Sequence, residues 1–423
     1  MLLIICFSSN AFAVTLYQAL NDTFKNNTQL NAERENIKAS EEDINISQAD
    51  YMPSLTLTGT KSFEDTNKLT NQSGGDAAIS DVNPLTSSIK LEQTLLDYGR
   101  DISHEKNIVG LELAKAKLIK KEQDVIYSAI EAFTGLILAR EKLEINRRNL
   151  NLLIRQVETD KVRLDRGQIT ITDLSQSESS LAGAEASFIA AGNELLTAKT
   201  NFERIIRTTV PDDINNQTDF FIDLPNDLKQ CLRLSLENNP KLMLAKLDKK
   251  IAERDINIER SKLSPSASIN YSKSKSDDFS VTVDDLEEES VKATVTWPII
   301  KGGKNYSSLK KAKFKKNKIS LILEDTVNEV KTETANAWSL YQSAESVLSS
   351  TQAQVKAAEI ANEGITIEYD TGNTRTTLEV IQSRSLLLSA RIANAKSERD
   401  FIVSKFELLA VLGNLSLKNI KKS

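Results

Sequence analysis

Asn26-Asn27, Asp43-Ile44-Asn45-Ile46 and Pro53-Ser54 are signposts within residues 16–62, and they return further on as Asn238-Asn239, Asp255-Ile256-Asn257-Ile258 and Pro265-Ser266. A shift of 212 residues lays Leu16 to Ser62 on Leu228 to Ser274 without a gap, with 16 of 47 positions identical. A second correspondence, at a shift near 205, places Gly167 on Gly372 together with the helical pattern that follows each. The chain is written twice, and one unit of roughly 200 residues sets the fold. Helical composition alone would not preserve the Pro-Ser break at the same place in both copies.

Each copy runs through the same elements. An amphipathic helix, about Val14 to Tyr51, stops at Pro53, and its counterpart of about Asp227 to Leu263 stops at Pro265, because proline lacks the amide a helix interior needs. Short alternating segments follow at 54–62 and 87–94, and again at 266–274 and 290–297. Leu55 and Leu57, or Ile89, Leu91 and Gln93, show the period of two expected of strands with one apolar face. The connecting loops are expected around Ser73-Gly74-Gly75-Asp76 and the acidic run Asp284 to Glu289, both facing solvent outside the cell.

Very long helices come next, since no proline occurs between Pro84 and Pro211 or after Pro298. Leu111, Leu118, Val125, Ala132 and Ala139 recur every seven residues, interleaved with Ala129, Leu136, Leu143, Leu150, Val157 and Leu164. That is a heptad seam. The return arm carries Leu174, Leu181, Phe188, Leu195 and Phe202 beside the small series Ala184, Ala191 and Ala198, so large residues can face small ones. A helix from Arg100 to Arg166 would be ~100 Å long at about 1.5 Å per residue, too long for an ordinary globular core. Gly167 and Gly372 sit where the outgoing arms must reverse, with Asp173 and Glu379 near the positive starts of the return helices.

The domain reading is residues 1–13 as a signal peptide, with an upstream start left open, 14–207 and 227–412 as the two repeats, 208–226 as linker and 413–423 as tail. The leader is apolar from Leu2 to Phe7 and ends in Ala11-Phe12-Ala13, but no Lys or Arg precedes it. Removing it leaves Cys231 as the one cysteine, so no internal disulfide is expected. No later stretch approaches ~18 uninterrupted apolar residues, so entry into a membrane would require a β-barrel.

Composition narrows the function. A formal net charge of -5 argues against nucleic acid, and the lysines at 310, 311, 313, 315, 316 and 318 read as a solvated helix face. The one histidine, His104, lies in a polar stretch without a metal-ligand pattern, and Gly302-Gly303-Lys304 lacks the rest of a phosphate-cradling loop. No enzyme activity, metal or cofactor is expected. Four strands per chain cannot close a transmembrane barrel, for which ~8 is the minimum. Three chains would supply twelve.

The chain resembles the TolC family of outer membrane efflux proteins over nearly its whole length. The resemblance rests on the duplicated order, the turns near Gly167 and Gly372, and the strand-to-helix junctions Gln93-Thr94-Leu95-Leu96-Asp97-Tyr98-Gly99-Arg100 and Trp297-Pro298-Ile299-Ile300-Lys301-Gly302-Gly303-Lys304. It implies a mainly α fold with a small β part, assembled as a homotrimer with a periplasmic α-barrel and a shared twelve-stranded barrel in outer membrane lipid. It further implies a passive exit duct for efflux or type I secretion, docked through its hairpin turns at Gly167 and Gly372 to a periplasmic adaptor and an inner membrane transporter.

The residues of the family's closed periplasmic entrance carry over one at a time. Thr172 and Asp173 match its threonine-aspartate pair, and Tyr369 and Arg375 its gate tyrosine and arginine, with one extra residue between Gly372 and Arg375. Asp173 is expected to pair with Arg375 across hairpins, and Tyr369 to bond toward Thr172. Glu379 falls on the first acidic constriction position, whereas the second is the uncharged Gln382. The rival reading, a periplasmic coiled-coil adaptor or spacer, would need a lipoyl-like β region that the sequence does not offer.

Overall fold

A computed structural model describes residues 15–68, 78–211, 220–221, 224–280, 283–372, 375–417 and 421–422. The expected leader and the Ser73 to Asp76 loop lie outside these. In chain order the elements are α1 (Leu16–Asn26), α2 (Thr28–Ala49), β1 (Ser54–Lys61), β2 (Glu64–Lys68), β3 (Ala78–Val82), β4 (Leu85–Leu96), α3 (Tyr98–Asp165) and α4 (Ile171–Ile206). The second copy follows with β5 (Phe220–Phe221), α5 (Leu228–Asn238), α6 (Pro240–Ser261), β6 (Ser266–Ser280), β7 (Val283–Thr296), α7 (Lys304–Gly372), α8 (Thr377–Val411) and β8 (Lys421–Lys422). The chain divides into two compact units, one of residues 1–34, 116–243 and 325–423, the other of 35–115 and 244–324.

Two expectations are corrected. The first helix of each copy is two helices, broken at Asn27 and Asn239, where the backbone turns extended. Asparagine makes the break because its side chain replaces the missing helical acceptor: Asn27 Oδ1 accepts from the amides of Gln29 and Leu30, and Asn239 Oδ1 from Lys241 at 2.9 Å. The acidic run at 284–289 is not a loop but part of β7. In the β6–β7 register Glu289 lies across from Lys273 and Glu287 from Lys275; Glu289 accepts from the Tyr271 hydroxyl at 3.1 Å, and Lys275 lies 3.9 Å from Asp285, so cross-strand polar contacts accompany the longer hairpin. Within residues 208–226 the two-residue β5 pairs with β8 of the tail.

The unit of 35–115 and 244–324 contains an antiparallel sheet of order β1-β4-β6-β7, in which β4 pairs with β6 and so joins the two copies. Opposed residues share a face. One face carries an apolar band, with Leu55 against Leu91, Leu57 against Ile89 and Tyr271 against Val291, and further along β6 and β7 the same face bears Lys273, Lys275, Glu287 and Glu289. The other bears Thr56, Thr58, Ser88, Ser272 and Thr294. Among the described residues nothing covers the apolar band: Leu57 is 76% exposed and Val295 74%. His104 is taken up locally, its Nδ1 lying 2.8 Å from Ser47 Oγ.

The other unit has a conventional core. Leu16 and Leu20 of α1 pack with Ile126, Ile130 and Phe133 of α3, Phe202 and Ile206 of α4, and Phe406 and Leu409 of α8. Cys231 is buried beside Ala337, Trp338, Leu408 and Leu412. Beyond α8, Gly413 has φ +77°, and a Cβ there would come within 2.2 Å of the Asn238 carbonyl oxygen, so only glycine permits this close approach.

Candidate functional site at the hairpin ends

The residues singled out at the turns all belong to the unit of 1–34, 116–243 and 325–423. At the first turn α3 stops at Asp165 and Gly167 adopts φ +70°, a left-handed conformation that closes the helix. The chain then enters α4 through a capping box: Thr170 Oγ1 accepts from the Asp173 amide at 3.2 Å, and Asp173 Oδ2 accepts from the Thr170 amide at 2.9 Å. Thr172 is exposed on the first turn of α4.

The second turn repeats the device. Gly372 is the last residue of α7, and α8 begins with a capping box in which Glu379 Oε2 accepts from the Thr376 amide at 2.7 Å. Here the cap also takes part in an ion-pair chain: Arg375 donates from Nε to Glu368 Oε2 at 2.6 Å and from NH1 to Glu379 Oε1 at 3.1 Å. The Thr376 amide, with help from Arg375, holds the Glu379 carboxyl below its usual range, and Glu368 and Glu379 raise Arg375. Gln382 is exposed one turn further along.

Within the chain, therefore, Asp173 does not meet Arg375, nor Tyr369 Thr172. Asp173 is committed to its cap, and Arg375 finds two carboxylates in its own hairpin. Tyr369 is 7% exposed; its hydroxyl donates to Asp160 Oδ1 at 3.3 Å and lies 3.1 Å from Thr377 Oγ1.

Asp160 is the centre that the sequence reading missed. It is fully buried and accepts from Ser177 Oγ at 2.6 Å and from Gln156 Nε2 at 3.0 and 3.1 Å. Arg384 donates to Gln156 Oε1 at 3.1 Å, and desolvation lowers its pKa from the usual guanidinium value. The Arg163 guanidinium lies 4.4 Å from the Tyr369 ring centroid and 3.5 Å from Asp370 Oδ1. One buried carboxylate is thus satisfied by three elements, and the α3–α4 and α7–α8 hairpins are stitched together.

The sequence matches the family of outer membrane efflux proteins over residues 19–206 and 231–414. The chain belongs to the outer membrane efflux protein family. Outer membrane efflux protein BepC of Brucella suis is 25% identical over 412 residues, covering 96% of this chain and 87% of BepC. Outer membrane protein TolC of Escherichia coli K12 is 21% identical, covering 98% of this chain and 85% of TolC. The CmeC outer membrane channel of Campylobacter jejuni shares the fold with a TM-score of 0.81 at 15% identity, over 94% of this chain and 85% of CmeC.

This outer membrane efflux protein is accordingly an outer membrane exit duct, a passive channel rather than an enzyme. The two family copies coincide with the internal repeat. A signal for the missed centre was present in the heptad seams of the first copy. Continuing the seam Leu111 to Ala139 by sevens gives Asn146, Leu153 and Asp160, and continuing Ala198, Ala191, Ala184 backward gives Ser177. Polar residues in both seams at one level mark a buried polar contact.

Proposed function

We propose that the chain works as a homotrimer in which three four-stranded sheets close a twelve-stranded barrel in outer membrane lipid, while the helical hairpins form a periplasmic duct. The observation that carries this is the two-faced sheet with open edges at β1 and β7. An apolar face belongs against lipid, a threonine- and serine-rich face against water, and an unpaired edge in a bilayer costs several kcal/mol per orphaned backbone group. A periplasmic adaptor or spacer would leave that apolar face in water.

In this reading the hairpin ends are the gate. The Asp160–Tyr369 contact fixes one hairpin pair within each protomer. Asp173 and Arg375 of adjacent protomers add exposed restraints, and Glu379 with Gln382 lines the constriction, where Arg375 partly neutralises the Glu379 charge. The turns at Gly167 and Gly372 are the surface for a periplasmic adaptor, and energy comes from an inner membrane transporter. The test is native mass measurement of protein extracted from outer membranes, with conductance in planar bilayers. A pore-forming trimer is expected; a monomer that forms no pores would overturn the proposal.

A further inference from the structure

The lysine run on α7 is out of keeping with the rest of the chain. Between Glu289 and Glu324 lie 34 residues (324 − 289 − 1) with nine lysines and no acidic residue. The helix start in the first copy is different, because α3 mixes charges and spends them on α6: Lys106 Nζ lies 2.8 Å from Asp255, Glu105 3.0 Å from Arg254 and Glu112 3.7 Å from Lys250. Among the described residues no lysine from 301 to 318 has a salt bridge. The charge of this run is not met by a carboxylate among the described residues.

The repeat indicates what would meet it. In the unit of 35–115 and 244–324, α3 has neighbours on two sides. Toward α2 its Asp101 accepts from the Tyr51 hydroxyl at 2.5 Å and its Asn107 donates to the Asp43 carbonyl at 2.9 Å; toward α6 it makes the three ion pairs. The junctions align at a shift of 204, Gly99-Arg100 on Gly303-Lys304, which carries Asp101 to Asn305. Asn305 indeed donates to the Lys262 carbonyl at 3.2 Å, and Lys262 is Asp50 shifted by 212. So α7 lies on α6 as α3 lies on α2. Among the described residues the side of α7 equivalent to the α6-facing side of α3 makes no such ion pair, and of α2 and α6 it is α2 that has a side left over, since α6 meets both α3 and α7.

We propose that this side of α7 docks on α2 of a second copy of the chain, with Lys310 paired to Asp43 of that copy. The pair is Lys106–Asp255 carried through both shifts, 106 + 204 and 255 − 212. The inference rests on the trimer reading and gives it its contact residues. Two independent observations support it. Strand order β1-β4-β6-β7 follows the helix order α2, α3, α6, α7, so the open edge of β7 lies at the same end of the series as the unpartnered side of α7, and that of β1 at the end with α2. Charge is complementary too: α2 holds Glu33, Glu35, Glu41, Glu42 and Asp43 against Arg34 and Lys38, whereas α7 offers six lysines from 310 to 318. Where α6 carries Arg254, α2 carries Glu42, and Lys313 lies one turn beyond Leu309, the residue at the position of Glu105. The third template pair maps to Lys38 and Lys316; Glu35, already 2.8 Å from Lys38, supplies the carboxylate there.

Because a lysine-aspartate contact spans more than a disulfide can bridge, the test uses a short bismaleimide on outer membranes from a Cys231→Ala background. Asp43→Cys with Lys310→Cys should give covalent dimers and trimers, whereas Lys106→Cys with Asp255→Cys should be linked within one chain. A native trimer with no intersubunit adduct would overturn the pairing and leave the trimer standing. A Cys231→Ala protein that is monomeric by native mass would sink the trimer itself, and the pairing with it. Charge exchange guards against a cysteine pair that misassembles. Asp43→Lys or Lys310→Asp alone should speed trimer dissociation by on the order of tenfold, summed over three weak pairs, and the double exchange should restore it. Failure of the exchange to restore it would also overturn the pairing.

Discussion

The two contacts of the candidate gate each centre on a charged group and differ in their partners and in their contact with water. At Asp160 a carboxylate with no exposed surface is held by a serine, a glutamine and a tyrosine. At Arg375 a guanidinium that is 39% exposed is held by two glutamates of similar exposure. Short distances occur in both, so distance alone does not rank them. A buried carboxylate stripped of one donor has no water to replace it, while an exposed ion pair competes with water and salt at every moment. The inner contact should therefore set the stability of the hairpin ends, and the outer one the ease with which they part.

The largest effect is expected from Asp160→Ala, which strands the donors of Gln156, Ser177 and Tyr369. A loss of about 3 kcal/mol of local stability follows from several unsatisfied buried groups. Hydrogen exchange of the amides in 156–177 and 369–384 would register it, and unchanged protection would remove Asp160 from the centre of the site. Tyr369→Phe comes second, at about 1 kcal/mol for one hydroxyl, with a modest rise in single-channel conductance.

Arg375→Ser should leave exchange rates untouched and act on conductance alone, an effect that high salt mimics. Combined with Tyr369→Phe it should open the channel more than either change does. A double variant that conducts like the wild type while inserting as a trimer would refute the gate assignment for both residues. The smallest effect is acid sensitivity. Because the folded Glu379 carboxyl titrates below its ordinary range, its restraint is fully present above the glutamate range and is lost as pH falls through and below it. Conductance should rise on acidification below the glutamate range, and Glu379→Gln should flatten that rise.

The same contrast explains what was legible in the sequence. Periodicity revealed α3 and α4 because a heptad seam is a long, redundant signal, and the duplication revealed the order of every major element. The breaks at Asn27 and Asn239 were hidden because the apolar pattern runs through them, although both asparagines lie among the matched positions of the repeat. The acidic half of β7 passed for a loop because its partners are lysines on another strand, and composition cannot see across a ladder. Asp160 escaped because the seam was followed only while it stayed apolar. Thr172, Asp173, Tyr369, Arg375 and Glu379 came from resemblance, which locates a turn but cannot say which side chain each residue will meet.

The β4–β6 ladder has a consequence for biogenesis. It joins residues 85–96 to 267–277, and the Asn83 amide reaches the Asp278 carboxylate across 195 positions of sequence. Contacts so distant along the chain form slowly, since a long loop must close before any ladder bond repays it. A chain translocated from its N-terminus has β1 and β4 ready long before β6 emerges, with one edge and a greasy face waiting in an aqueous compartment. That interval is when a holding chaperone would be needed, and shortening it by circular permutation, so that β6 emerges beside β4, should reduce aggregation during export.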